Sequence, residues 1–523
     1  MNTPYTASGA SSQPPGLAPS KQAPLRPEHP VKVVTHVHDL PVANSFAELP
    51  ADFHTFLPPQ PLTAPRLLHA NAEVAALLGL DGAALRSPEF LQIVSGLQPL
   101  PGGRTLAAVY SGHQFGVWAG QLGDGRAHLL GEIRTAQGGL ELQLKGSGRT
   151  PYSRMGDGRA VLRSSVREYL AAEAMAGLGI PTTRSLALVV SDDPVYRETV
   201  ETAAIVTRVS PSFVRFGSFE HWAGQPDKLR TLTDYVIDRH FPELRHTAAG
   251  EPETWENAVL RMLREVTRRT ASMVADWQTA GFCHGVMNTD NMSILGLTMD
   301  YGPYGFMDNF QANHICNHSD THGRYAWNVQ PAVAHWNLFR LGGVFLSTGL
   351  SEEALRDALS GYQQDFLSVY HGNLARKLGL QEWKEGDEDL IDAWWRLLHD
   401  HRADFTLAFR TLASVDRDPG PFLALFGDPE PARAWLERYR ERVLAQRWPG
   451  AEREAAMLRA NPLYVLRNHL AQIAIDAAAK GDPGEIDTLL ELLHDPYTER
   501  PGFERYAEQA PAWAERLEVS CSS

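Results

Sequence analysis

The sequence predicts an α+β protein of two unequal lobes, a glycine-rich β lobe followed by a larger helical lobe. Two observations carry the prediction. From Ala107 to about Val209, alternating apolar and polar segments are broken by glycine clusters, the pattern of strands joined by tight turns. From about Leu229, apolar residues recur at helical spacing through long stretches such as "TWENAVLRMLREVTRRTASMVADWQTAGF" and "DEDLIDAWWRLLHDHRADFTLAFRTLASV". A chain of 523 residues has room for two large lobes sharing a cleft. No internal repeat of the solenoid kind is present. The expected division is a disordered or extended segment over 1–44, the β-rich lobe over 45–228, the helical lobe over 229–480 and a C-terminal extension over 481–523.

With 43% hydrophobic and 21% charged residues the composition is that of an ordinary soluble globular protein. The formal charge of −14 argues against a general affinity for nucleic acid or anionic membrane, which would need a basic excess. Any polyphosphate site must then be a local basic pocket. Three cysteines, Cys283, Cys316 and Cys521, are too few for a disulfide framework and point to a reducing compartment. No apolar run approaches the roughly 18 residues a membrane helix needs, and the N-terminus lacks a secretory signal's charged start and apolar core. A cytoplasmic protein is expected.

The first lobe can be taken element by element. Its leading residues, to about Pro30, are Pro, Ser, Ala and Gln with little to bury, so disorder is expected there, with ordered structure beginning near "NSFAELPADFHTFLPPQPL". A glycine-rich loop, Gly120 to Gly125, leads into a strand "AHLLGEIRT", a turn at "AQGG" and a second strand "LELQLK". In the second strand Leu140, Leu142 and Leu144 share one face and Glu141, Gln143 and Lys145 the other, so Lys145 ends a strand on its polar face. The four-residue spacing of Leu162, Val166, Leu170 and Ala174 predicts a helix that ends near Gly179, just before Pro181. Glu168 lies off that stripe and by itself reads as a solvated helix carboxylate. A strand lysine followed by a helix glutamate about 20 residues later is, however, how a protein-kinase-like lobe holds its nucleotide-contacting lysine.

The second lobe carries "HGVMNTDNMSILGLTMDYGPYGFMD", in which an Asp-Asn pair precedes an Asp-Tyr-Gly triplet. Mg²⁺ is a hard cation that shares oxygen ligands between carboxylates or amides and nucleotide phosphates. Asn291 and Asp300 are suitable ligands, and Asp290 is free to orient a nucleophile or accept its proton. Singly these residues read as turn or cap residues. In the order loop, lysine, glutamate, Asp-Asn and Asp-Tyr-Gly they read as a nucleotide-transferring cleft.

Four stretches, "YSGHQFGVWAGQLGDGRAHLLGE", "LQLKGSGRTPYSRMGDGRAVLRSSVREYL", "HGVMNTDNMSILGLTMDYGPYGFMD" and the terminal "CSS", closely resemble the selenoprotein O family, from roughly residue 45 to the end. The resemblance implies a protein-kinase-like fold that binds ATP inverted and transfers AMP to protein Ser, Thr or Tyr hydroxyls with Mg²⁺ or Mn²⁺. For some bacterial members it also implies UMP transfer from UTP. Carried over residue by residue, it makes Gly123, Gly125, Arg126, Lys145, Asp157, Gly158, Arg208, Arg215 and Asp300 contacts to ATP. It makes Asp290 the catalytic residue, Asn291 and Asp300 the metal ligands, and Glu168 the ion-pair partner of Lys145. Arg126, Arg208 and Arg215 supply the local basic pocket that an acidic chain requires, since guanidinium forks suit phosphate oxygens.

After the Asp-Tyr-Gly triplet, His314, Cys316, His318 and His322 suggest a metal cluster, although their spacing matches no standard zinc pattern. Eukaryotic members of the family carry selenocysteine near the C-terminus where this chain has Cys521, so a redox pairing of Cys316 with Cys521 is a further expectation. Two other functions stay open. A γ-phosphoryl protein kinase is disfavoured by the missing His-Arg-Asp triplet, for which the chain offers only "HGVMNTD". A silent nucleotide-binding pseudokinase scaffold is disfavoured by the complete set of Asp290, Asn291 and Asp300.

Overall fold

The structure, a computed structural model, describes residues 32–136 and 138–519. Among them ten strands form one large antiparallel sheet. These are β1 (Val42–Ala43), β2 (His54–Phe56), β3 (Arg66–Ala70), β4 (Leu106–Gln114), β5 (Val117–Gly123), β6 (Ala127–Thr135), β7 (Gly138–Lys145), β8 (Ala160–Val161), β9 (Arg184–Tyr196) and β10 (Val200–Ser210). Their order is β2-β4-β6-β7-β10-β9-β3, with β1 on β6, β5 on β4 and β8 on β10. The remainder of the chain is mostly helical, so the class is mixed α and β with a large antiparallel sheet and many helices.

The strands expected at "AHLLGEIRT" and "LELQLK" are β6 and β7. Leu140, Leu142 and Leu144 pack into an outer core with Ile133, Val189, Val209 and the short helices over 72–94. The opposite face, Glu141, Gln143 and Lys145, is buried as well, so the alternation separates two interiors and not core from solvent. The packed chain also begins earlier than expected. Val34, Val37 and Leu40 are buried in the outer core and Val42 pairs with Ile133, whereas sequence alone delays order to about residue 45. The disorder expected over the first residues falls on 1–31, outside the described residues.

The predicted helix spans Leu162–Gly177, and Leu162, Val166, Leu170 and Ala174 all enter the main core. It is buried nearly all round. Two C-terminal helices, Asn468–Ala478 and Gly484–His494, lie against it, so the extension expected from residue 481 returns to the first lobe. Gly177 is where they come closest: a Cβ there would lie 1.8 Å from the Leu493 carbonyl oxygen. In the second lobe the long helix Trp255–Ala280 is capped by the Thr254 hydroxyl and stopped by Gly281 in the left-handed region.

Where the terminal helix meets the first lobe, His494 lies 3.1 Å from both Glu73 and Glu173, and Arg184 pairs with Glu173 at 2.6 Å. Burial would lower the His494 pKa, but its bonds to Glu173 and Glu73 outweigh that and raise it to about 9. A histidine whose folded pKa exceeds its unfolded value near 6.5 stabilises fully below that value and loses the contribution as pH rises through 9. His494→Gln should therefore lower Tm at pH 6 and converge on the wild type above pH 9 (calorimetry across pH; a gap independent of pH would refute it).

Candidate active site

The cross-strand register of β7 and β10 builds the first half of the site. Lys145 stands opposite Val206 and Gln143 opposite Arg208, so Lys145, Gln143 and Arg208 project from the same inner face. The helix Leu162–Gly177 lays Glu168 against them: Lys145 Nζ is 2.7 Å from Glu168 Oε2, and Arg208 Nη1 is 3.2 Å from Oε1. Glu168 is thus a buried ion-pair partner and not a solvated carboxylate. Its helix is clamped from the second lobe, where the Tyr304 hydroxyl donates to the Arg167 carbonyl at 2.8 Å and Arg167 donates to Asn468 and to the Tyr304 carbonyl.

The second half is the turn around Asp300, whose φ of 56° is in the left-handed region that aspartate tolerates better than most residues. Arg208 Nη1 and Arg215 Nη1 each donate to its carboxylate at 2.5 Å, and Lys145 Nζ lies 3.5 Å away. Burial would raise the Asp300 pKa, yet Arg215, Arg208 and Lys145 outweigh it and hold the carboxyl well below its usual range. Burial lowers the pKa of Lys145, opposed by Glu168 and Asp300.

Asp290 and Asn291 sit on a single 3₁₀ turn, Thr289–Asn291. Burial pushes Asp290 up to about 6, opposed by a 3.2 Å bond from Gln114 Nε2 to its Oδ2. Its Oδ1 is buried without a partner. Asn291 Nδ2 donates to the Val286 carbonyl at 3.0 Å. The turn is tied to the tip of β4: His113 N donates to Thr289 Oγ1 at 2.7 Å, Thr289 Oγ1 donates to Glu220, and His113 Nδ1 bonds Glu220 at 2.6 Å.

These pieces surround one cavity of ≈ 550 Å³. Gly123, Gly125, Arg126, Lys145, Asp157, Gly158, Glu168, Arg208, Asp290, Asn291 and Asp300 all line it. Arg215 does not. It lies behind Asp300, its guanidinium over the Tyr110 ring and bonded to the Asp290 carbonyl at 2.8 Å. Two glycines of the loop serve packing, since a Cβ at Gly123 would meet the Tyr152 ring at 2.5 Å and one at Gly125 the Tyr152 carbonyl at 2.8 Å. The Asp157 carboxylate is engaged by Arg197 at 2.7 Å. Nor is the basic set bare: Lys145, Arg208 and Arg215 are each paired within the cleft with Glu168 or Asp300, which a count of charges along the sequence could not reveal. Gln114, Asp124, Asn288 and Arg197 also line the cavity and were missed: Asp124 sits in the glycine-rich loop and Asn288 two residues before Asp290, but the spacing assigns neither a role, and Gln114 and Arg197 carry no local signal.

Cys316 lies apart from the cavity, donating to the Cys283 carbonyl at 3.3 Å, and burial raises its thiol well above the usual range. Cys521 is outside the described residues. His314, Cys316, His318 and His322 form no metal cluster; among the described residues only His36, His38 and Glu89 bring three such ligand atoms within 4.8 Å of one another. No described helix is long and apolar enough to cross a membrane.

A cleft of paired lysine, arginines and carboxylates recurs in a chain with named relatives. The chain is 66% identical over 490 residues to a protein nucleotidyltransferase YdiU of Bordetella petrii, covering 92% of this chain and 98% of the relative. The YdiU proteins of Bordetella pertussis and Ralstonia nicotianae are 62% and 53% identical, each across at least 92% of this chain. The protein is an enzyme, a protein nucleotidyltransferase. It belongs to the family described as protein adenylyltransferase SelO, whose model matches residues 36–494.

Asp290→Asn keeps the shape of the turn and removes a carboxylate; if that carboxylate accepts the proton of the reaction, the effect is on rate and not on fold. Nucleotidyl transfer should fall by about 10²–10⁴-fold with Tm preserved. A folded variant within threefold of wild type in a single-turnover assay would show that Asp290 accepts no proton.

Proposed function

We propose that the chain transfers the adenylyl group of ATP to Ser, Thr or Tyr hydroxyls of proteins, in a protein-kinase-like cleft between its lobes. The observation that carries this is the convergence of Lys145, Glu168, Asp290, Asn291 and Asp300 on one cavity, in a chain of the adenylyltransferase family. In the proposed reaction the acceptor oxygen bonds to the α-phosphorus, the bond to the β-bridging oxygen breaks, and pyrophosphate leaves. Asp290, ionised above about pH 6 and with one oxygen unpartnered, takes the hydroxyl proton. Lys145 and Arg126 offer cationic donors to the phosphates, and Arg208 shares its guanidinium between Asp300 and the cavity wall. Arg215 acts through Asp300, holding its carboxylate ionised and in place.

Asn291 and Asp300 fit a hard divalent cation, Mg²⁺ or Mn²⁺: both line the cavity, both offer oxygen, and the Asn291 amide nitrogen is already spent on Val286. Such an ion, when bound, would polarise the phosphate and neutralise charge on the leaving group. UMP transfer from UTP is the same chemistry with another base.

One observation favours a second reading. The 2.7 Å Lys145–Glu168 pair is the device with which protein kinases hold α- and β-phosphates for γ-phosphoryl transfer. Label position decides between the two. Label from α-phosphate-labelled ATP is expected in protein and label from γ-phosphate-labelled ATP is not; the reverse would make the chain a kinase, and neither, with ATP bound, a scaffold.

We also propose that Cys316 pairs with Cys521 under oxidation. His318 N donates to the Val519 carbonyl at 2.9 Å, which supports an approach of the tail to the Cys316 segment. Oxidation should then lower transfer and thiol reductant restore it. Peptide mapping of the oxidised protein that finds no linked pair would refute this.

A further inference from the structure

The tip of the β4–β5 hairpin is apolar and exposed although it touches the catalytic turn. Phe115 is 39% exposed, Val117 70% and Trp118 49%. Phe115 holds a φ of 50°, and its N–H donates to Asn288 at 3.2 Å and to the Tyr325 hydroxyl at 2.9 Å, while its neighbour Gln114 donates to Asp290. The two-residue turn Phe115–Gly116, with φ of 50° and 80°, closes the hairpin and leaves the Phe115 ring part-exposed at the cavity, 5.1 Å from the Tyr325 ring.

Beside the tip stands a cationic aromatic stack. The Trp336 ring receives the Arg324 guanidinium at 4.9 Å, the Arg340 guanidinium at 5.3 Å and the edge of His113 at 5.4 Å. Arg324 reaches back to the hairpin, where a Cβ on Gly116 would meet its guanidinium carbon at 2.8 Å. Among the described residues neither Arg324 nor Arg340 forms an ion pair, and Arg324 Nε is buried without a partner. The surrounding chain is acidic, with a formal charge of −14, and most of its arginines in the cleft are already engaged by carboxylates. Two guanidinium groups without an ion-pair partner, Arg324 part-buried and Arg340 exposed, bracket a tryptophan beside Asp290 and form a surface suited to an anion.

We infer that this surface docks the acceptor segment of the protein substrate, and that the segment is acidic: an extended stretch whose hydroxyl residue reaches Asp290 while a flanking Asp or Glu pairs with Arg324 and Arg340 and an apolar neighbour rests on Phe115 and Trp118. The inference rests on the reading of the cleft as an adenylyl-transfer site. Continuity supports the placement, since Gln114 and Phe115 line the mouth of the same cavity as Asp290. Charge complementarity selects the occupant, because a basic segment would face two guanidinium groups with no carboxylate between them.

The test uses the full chain, ATP labelled at the α-phosphate, and two synthetic peptides that differ only in having glutamates or lysines around one serine. Wild type should label the glutamate peptide about tenfold faster in kcat/KM, with a preference that shrinks as salt rises. Arg324→Glu with Arg340→Glu should reverse the preference, and the exposed Arg340→Glu alone should move it the same way. Equal labelling of the two peptides by wild type, or an unchanged ratio after charge reversal in folded variants, would overturn the inference. Binding is read separately by fluorescence anisotropy. Glutamate-peptide binding without transfer of label would uphold the surface and refute adenylyl transfer.

Discussion

The cleft depends on one carboxylate. Asp300, half-buried at the cavity wall, is held ionised because Arg208, Arg215 and Lys145 converge on it, and the same Arg208 and Lys145 are held by Glu168. A buried charge is tolerated when it is paired and bonded; removing one partner of such a set costs about 3–5 kcal/mol. Three cations against two carboxylates leave the network short of negative charge, even before Arg126 is counted. An anionic group such as a nucleotide phosphate would meet that deficit, a local balance that the acidic charge of the whole chain does not reveal.

Much of this was legible in the sequence, for physical reasons. Lys145 and Glu168 could be paired because strand alternation and helix periodicity each define a face, and Asp290, Asn291 and Asp300 because carboxylate and amide oxygens at turn positions suit a hard cation. What covers a face is not written in its period. The inner side of β7 reads as a polar face from Glu141, Gln143 and Lys145, yet it is buried, because Phe213 N donates to Glu141, Gln143 bonds Asp124 and the helix Leu162–Gly177 brings Glu168 to Lys145. Arg215 could not be placed because its location comes from tertiary pairing, an isolated bridge to Ser293, with no local signal. The early start of the packed chain escaped notice because Val34, Val37 and Leu40 are weak as a pattern and strong only against the outer core.

The C-terminal helices hold in place the helix that carries Glu168. In a lobe built only from the sheet and its helix, Glu168 would depend on the helix staying in place unaided. Here Asn468 bonds Arg167, His494 bonds Glu173 beside it, and Asp487 bonds His69 across the lobe at 2.8 Å. The helix is fastened at two heights of its own axis, one residue before Glu168 and five after it. The helices Asn468–Ala478 and Gly484–His494 are therefore packed as part of the β-rich half although they follow the helical half in sequence.

The register between β7 and β10 has a consequence for how the chain tolerates change in length. Because Gln143 faces Arg208 and Lys145 faces Val206, a single inserted or deleted residue in either strand would rotate Lys145 or Arg208 to the outer core and bring a leucine or valine to the cleft. Substitution can be graded by size and charge, whereas a shift by one residue is all or nothing. Segments that can lengthen or shorten freely are confined to connections away from the cavity, such as the exposed turn at 248–250 ahead of the helix Trp255–Ala280, and it is there that a tag, a spacer or a circular permutation could enter without disturbing the cleft.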